Sequence, residues 1–171
     1  SQKTDAIAAQ VRLIDETQKV LSTLLSLESG QRGYVLTGLE NFLEPYEGAL
    51  AALGAQISQL ETAWSDAHAD GAALDELRSA IGAQTQFAEE AVRTRAVDGF
   101  EAAAQMVRSG EGKARMDAVR AIINTVQEGA STQIASITIE RRQVELVSGI
   151  AFAIAAVAAL ALAWLALRRQ A

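Results

Sequence analysis

Cysteine is absent from this 171-residue chain, histidine and proline occur once each, and aromatic residues make up only 5%. Without cysteine there can be no disulfide, thiolate metal ligand or thiol nucleophile. The lone His68 lies in a polar stretch with no second histidine, so no metal, cofactor or catalytic site is expected there. Positive charge is also scarce: 15 Lys and Arg stand against 21 Asp and Glu, scattered along the chain, and a nucleic-acid surface is not expected. Near-absence of proline, with alanine, leucine and glutamine abundant, favours long helices over sheets.

Half of the residues are apolar, enough for the core of one domain but short for two. From Leu146 to Leu167 the chain reads LVSGIAFAIAAVAALALAWLAL. About 22 uncharged residues in helical form span roughly 33 Å, which matches the hydrocarbon core of a bilayer, so a transmembrane helix is expected here. Trp164 suits an interfacial position, and Arg168 and Arg169 follow at once. Arg141 and Arg142 flank the other end, so charge counting leaves the orientation nearly tied. Rows of small residues (Ala151, Ala155, Ala159, Ala163; Gly149, Ala153) would suit close helix pairing in a membrane. Beginning at Ser1 and stopping four residues beyond this segment, the chain is expected to be a piece of a longer protein.

Ahead of that segment the apolar residues recur at helical spacing. Ile7, Val11, Ile14, Leu21 and Leu25 form a stripe that Leu13, Val20, Leu24 and Leu27 widen, predicting one helix to about Leu36. A second register runs Tyr46, Leu50, Leu53, Ile57, Leu60, Trp64, and a third Leu74, Leu77, Ile81, Ala88, Val92. A short helical piece is predicted near Phe100 to Val107. The last pattern, Met116, Val119, Ile123, Val126, Ala130, Ile137, Val144, Val147, leads into the apolar segment without a breaker. The expected fold is all-α: an up-down-up-down four-helix bundle over 1–145, its last helix continuing as a transmembrane helix over 146–167, with 168–171 starting the segment beyond. In that topology the connection between the first two helices and the stretch VRSGEGKARMD, 107–117, are neighbours at one end.

The stretch ESGQRGYVLTGLENFLEPY, Glu28 to Tyr46, interrupts the first pattern with three glycines and the only proline. Extending the apolar stripe by sevens puts Glu28 and Arg32 at core positions, four residues apart, where they either pair to fix helix register or present a polar patch to a small ligand. Lys113, Asp117 and Arg120 would complete either arrangement from the facing helix. Gly30 and Gly33 each cost the helix roughly 1 kcal/mol against alanine, offset by close packing inside the bundle or in a homodimer. Gly38 reads as a helix C-cap glycine, and Asn41 with Glu44 as a capping box opening the second helix. Tyr34 and Tyr46 are core rings or ligand-contacting groups, and Thr37 sits beside the turn. GlyGluGlyLys, 110–113, fails the spacing of a phosphate loop, and no catalytic constellation emerges.

Glu28, Gly30, Gln31, Arg32, Gly33, Tyr34, Leu36, Thr37 and Gly38, followed by Phe42, Leu43, Pro45 and Tyr46, form one block; Val107, Ser109, Gly110, Gly112, Lys113, Met116, Asp117 and Arg120 form a second. Together they resemble the signature of the third class of CHASE domains, over roughly residues 10 to 140. That resemblance implies an extracytoplasmic four-helix sensor between two transmembrane helices, feeding a cytoplasmic kinase, cyclase or chemoreceptor output, with Arg168 and Arg169 cytoplasmic and a first span preceding Ser1. The family supplies no defined ligand. The expected function is therefore sensory input and transmembrane signalling for a bacterial receptor, a sensor histidine kinase first among the outputs, in the inner membrane and as a homodimer. Its partners would be the lipid bilayer and an unidentified small ligand or protein. A structural or protein-interaction bundle is the alternative.

Overall fold

The computed structural model describes the backbone of residues 2–168 and the side-chain surroundings of residues 2–139. Five helices follow one another: α1 (Gln2–Thr37), α2 (Leu43–Asp66), α3 (Gly71–Val97), the short α4 (Phe100–Arg108) and α5 (Glu111–Arg168), with a single 3-10 turn at Glu40–Phe42. No strand occurs among the described residues. The chain divides into two compact units, 1–131 and 132–171, the second being the C-terminal part of α5. The expected transmembrane segment, 146–167, and its small-residue rows lie outside the residues whose side chains are described. Among residues 2–139, whose side-chain surroundings are described, no helix is long and apolar enough to cross a membrane.

Within the first unit the helix directions follow from contacts between distant residues. Near the start of α1, Gln10 donates to the Ala67 carbonyl (3.0 Å) and Arg12 pairs with Asp66 (3.3 Å), so α2 ends where α1 begins. Arg95 of α3 donates to the Val35 carbonyl (3.0 Å), which sets α3 parallel to α1. Gln127 of α5 donates to Thr17 Oγ1 (2.9 Å) while Gly112 lies against Phe87, so α5 descends antiparallel to both. An antiparallel helical bundle results, its main core built by Leu13, Val20 and Leu24 of α1, Leu53, Leu60 and Trp64 of α2, Leu77 and Ile81 of α3, and Met116, Val119 and Ile123 of α5. Fully burying each such side chain contributes about 1.5–3 kcal/mol.

Toward the α1–α2 connection alanine enters the core: Leu27 and Tyr46 pack with Ala49 and Ala88, then Val35 with Ala91 and Ala103. Alanine there lets α3 and the short α4 approach α1 closely. The registers of α2, of α3 and of α5 as far as Ile137 agree with the apolar spacing, while Val144 and Val147 lie outside the residues whose side chains are described. That of α1 agrees in part: Leu13, Val20, Leu24 and Leu27 are buried and Leu21 packs against the core, but Val11 is 52% and Leu25 39% exposed, and the buried face also takes in Gln10, Glu16, Thr17, Gly30, Gln31 and Val35. Arg32, seven residues after exposed Leu25, is consequently off the core, and Gln31 occupies the position expected for a charge.

Gly38 ends α1 as a left-handed cap: its φ is +73° and its N–H bonds to the Tyr34 carbonyl at 2.8 Å. The capping box at Asn41 and Glu44 does not form. The 3-10 turn takes up Asn41, and α2 begins after Phe42 without a side-chain cap. Thr37 serves the turn instead, donating to the Gly33 carbonyl (2.7 Å) and accepting from the Leu39 N–H (3.1 Å). At the opposite end Asp70 caps α3 by accepting from the Ala72 N–H (3.0 Å), Trp64 Nε1 donates to the Asp70 carbonyl (2.9 Å), and His68 adopts a positive φ of 52° in the turn.

Candidate functional site

The two glycines of α1 act inside the chain. A Cβ on Gly30 would lie 2.7 Å from the Phe42 carbonyl oxygen and 2.9 Å from the Tyr46 nitrogen, and one on Gly33 would overlap the Phe42 ring. Their absent side chains let the 3-10 turn and the first turn of α2 fold back onto α1. This packing fixes the end of α1, and with it the positions of mostly buried Glu28 and exposed Arg32.

On the facing side, Gly110 has a φ of +76°, a backbone conformation that favours glycine, and reverses the chain from α4 into α5. Ser109 caps the new helix by accepting from the Glu111 N–H (3.2 Å). At the second position of α5, Gly112 leaves room for Phe87, whose Cε1 would sit 2.7 Å from an added Cβ. From its other side the same ring is covered by the Arg115 guanidinium, 5.7 Å from the centroid.

Between these elements lies an open cavity of about 380 Å³. Glu28, Gln31 and Arg32 wall it from α1, Phe87 from α3, Val107 from the end of α4, and Gly110, Gly112, Lys113 and Arg120 from the start of α5. The neighbourhood expected from topology is therefore observed. Its cations are held in internal pairs, of which that of Arg32 is the loosest. Arg32 lies 3.6 Å from Glu28, with the Arg32 side chain 56% and that of Glu28 15% exposed. An ion pair this open contributes about 0.3–0.5 kcal/mol, too little to set the register of a 36-residue helix.

Asp117 sits outside the lining and receives both Lys113 and Arg120, the latter at 2.9 Å. The hydrogen bond from Lys113, more than any other interaction, holds the Asp117 carboxyl below the usual carboxylate range, and Arg120 adds to it. Lys113, Arg120 and Arg32 set against Glu28 and Asp117 leave one positive charge in excess.

Four of the nine sequence candidates, Glu28, Arg32, Lys113 and Arg120, thus line one cavity, and Asp117 joins them through two of these. The other four lie elsewhere. Tyr46 is buried against Leu27, Ala49 and Ala88, where burial first and the charges of Glu89 and Glu47 second push its phenol pKa upward. Thr37 belongs to the α1 cap, Glu44 is exposed on the first turn of α2, and Tyr34 is half-buried, its carbonyl accepting from Gly38.

Sequence reasoning missed Gln31, which is 2% exposed with no hydrogen-bond partner for Nε2, and Phe87, which α3 carries in from outside both conspicuous blocks. It also missed Arg95, which binds the carbonyl end of α1 at Val35 and leaves no room for a side chain at Gly38. Among the described residues no three His, Asp or Glu side chains are grouped to hold a metal ion.

Searches of curated proteins and of solved structures return no match. A family model described as the CHASE3 domain matches residues 3–139, which takes in α1 to α4, both walls of the cavity and the start of α5. On that match the chain belongs to the CHASE3 family, extracellular sensory domains of signalling receptors.

Proposed function

We propose that this chain is the input and transmembrane signalling module of a bacterial receptor, a sensor histidine kinase in the first instance, with residues 1–145 outside the inner membrane and 146–167 spanning it. The observation that carries the reading is the composite cavity: one wall is α1 and the other is the first turns of α5, the helix whose sequence leads to the uncharged segment. A stimulus there acts by differential affinity. It shifts the receptor only as far as it binds one arrangement of α1 and α5 better than another. A shift of about 1–2 Å between packed helices is the usual currency of such changes, and α5 would pass it through the bilayer as a piston, tilt or rotation.

Insertions after Glu140 in the full-length receptor test this. Two extra helical residues rotate everything beyond them by about 200°, whereas seven return it to within about 20° of the original face. Output measured in membrane vesicles should be scrambled by two residues and retained with seven. Equal output from both would overturn transmission through a rigid α5.

A second reading, a dimerisation bundle that senses nothing, draws support from Val11 and Leu25. These exposed apolar residues stand two heptads apart on α1. Sedimentation of the Val11→Ser, Leu25→Ser double variant tests that face: a homodimer that uses it dissociates, and an unchanged mass removes its support.

A further inference from the structure

The buried polar residues of α1 do not share the same surroundings. Gln10 and Thr17, on the core register, have partners within the protein, in the Ala67 carbonyl and in Gln127 and the Ile14 carbonyl. Gln31 holds the same register three turns or more further on, and its Nε2 has none. Leaving a buried amide donor without a partner destabilises the fold, because its lost hydration is not replaced. Glu16 Oε2 on α1 and both amide atoms of Gln84 on α3 are also buried without a partner, and of these residues Gln31 is the one that lines the cavity.

A second set of donors faces the same space. Helix geometry gives the N–H groups of Gly112 and Lys113, at the second and third positions of α5, no acceptor within the helix. A capping side chain would normally accept from them, but the cap position is Gly110, which has none, and Ser109 is engaged with Glu111. Gly110, Gly112 and Lys113 all line the cavity. The start of a helix favours a negative charge through its dipole, and the surrounding side chains add one uncompensated positive charge.

We infer that the cavity binds a small organic monocarboxylate, its carboxylate received by the first turn of α5 and Arg120, its apolar body lying against Phe87 and Val107, and the Gln31 carboxamide hydrogen-bonding to it. The charge count selects a carboxylate over a phosphate monoester. An excess of one positive charge matches a monoanion, whereas a phosphate monoester carries about 1.5–2 negative charges at neutral pH and would leave Glu28 facing uncompensated charge. A volume of about 380 Å³ lies at the lower end of the range for small-molecule sites. The inference rests on the sensory reading above and gives its stimulus a chemical class.

Three probes with the same phenyl body separate the possibilities: benzoate, its isosteric uncharged counterpart benzamide, and phenyl phosphate. Each is titrated into the ¹⁵N-labelled 171-residue chain, following the backbone amides of Gly112 and Lys113 and the side-chain amide of Gln31. Benzoate should shift all three and bind at least tenfold more tightly than benzamide. Arg120→Gln, on a half-exposed side chain that the fold does not need, and Gln31→Leu, which fills the same core volume, should each weaken benzoate about tenfold. Benzamide binding within threefold of benzoate, or amides unmoved by benzoate, would overturn the assignment. Preferential binding of phenyl phosphate would overturn the carboxylate class while leaving the sensory reading in place; failure of the insertion series would do the reverse.

Discussion

Replacing Gly30 by alanine pits two known quantities against each other. Alanine gains about 1 kcal/mol over glycine inside a helix. Against that, the new Cβ would lie 2.7 Å from the Phe42 carbonyl oxygen, 2.9 Å from the Tyr46 nitrogen and 3.0 Å from the Tyr46 Cβ. Two of these three atoms are backbone, which no rotamer change can move, so α1 and α2 must separate. Overpacking costs about 1–3 kcal/mol, and backbone neighbours put this site in the upper part of that range, about 2–3 kcal/mol, so after the helix gain the expected net loss is about 1–2 kcal/mol. For a chain of this size that lowers Tm by about 2–8 °C. Gly54→Ala supplies the control: nothing stands within 4 Å of its added Cβ, and the site is interior to α2. There the helix gain is undiminished, and Tm should rise by about 1–4 °C. Thermal unfolding followed by circular dichroism, with urea unfolding to check that the slope is unchanged, reads both. A Gly30→Ala chain as stable as the parent would refute the claim that glycine is there for a backbone contact between α1 and α2.

Three further outcomes are expected. Arg95→Ala removes a charged donor from the Val35 carbonyl at the end of α1; it should cost about 1 kcal/mol and speed hydrogen exchange at Leu36 to Leu39 more than at Leu24. Gln84 is fully buried with neither amide atom hydrogen-bonded, so Gln84→Leu should stabilise the fold by about 1–2 kcal/mol in chemical unfolding, and a loss of stability would show that the amide has a partner. Tyr46 has a phenol pKa above the usual 10.0, chiefly from burial. Because its folded value is raised, the stabilisation is complete below pH 10 and is lost as pH climbs through the folded value; ultraviolet titration of Tyr34→Phe, which leaves Tyr46 as the sole tyrosine, should show phenolate forming later than in a free tyrosine.

How much of this was legible in the sequence depended on how pure each stripe was. In α2 and α5 the buried positions are almost all apolar, so three-four spacing located the core directly. Helix α1 carries two competing stripes, and the one that faces the core includes Gln10, Thr17 and Gln31. Counting apolar residues therefore centred the stripe on the face that holds Val11 and Leu25, both of them exposed, and this carried Arg32 inward on paper. The capping error at Asn41 has a related cause. Its local signal was sound, but Phe42 has to lie against Gly33, and the 3-10 turn that places it there displaces the start of α2.

At the site, topology brought Glu28 and Arg32 together with Lys113 and Arg120, because antiparallel packing fixes which ends meet. Phe87 and Arg95 could not be found that way, since neither lies in a distinctive local motif and both act only through the packing of α3 on α1 and α5. Gln31 was legible as part of the glycine-rich block. Its importance comes from burial, which spacing in α1 misassigned.

The central claim is that the cavity walls carry information as well as stability, and Arg32 is where the two are most separable. Its ion pair is solvent-exposed and contributes about 0.3–0.5 kcal/mol, so Arg32→Ala should lower Tm by no more than about 2 °C. Arg78→Ala, which removes the exposed pairs with Glu61 and Asp75 away from the cavity, is its match in kind. The decisive measurement is the stimulus-dependent output of the full-length receptor carrying each substitution, taken beside its Tm. The account expects output to change several-fold in Arg32→Ala and to stay at the parental level in Arg78→Ala; parental output from both, with only small losses of Tm, would contradict it and leave a bundle that holds the receptor together without sensing.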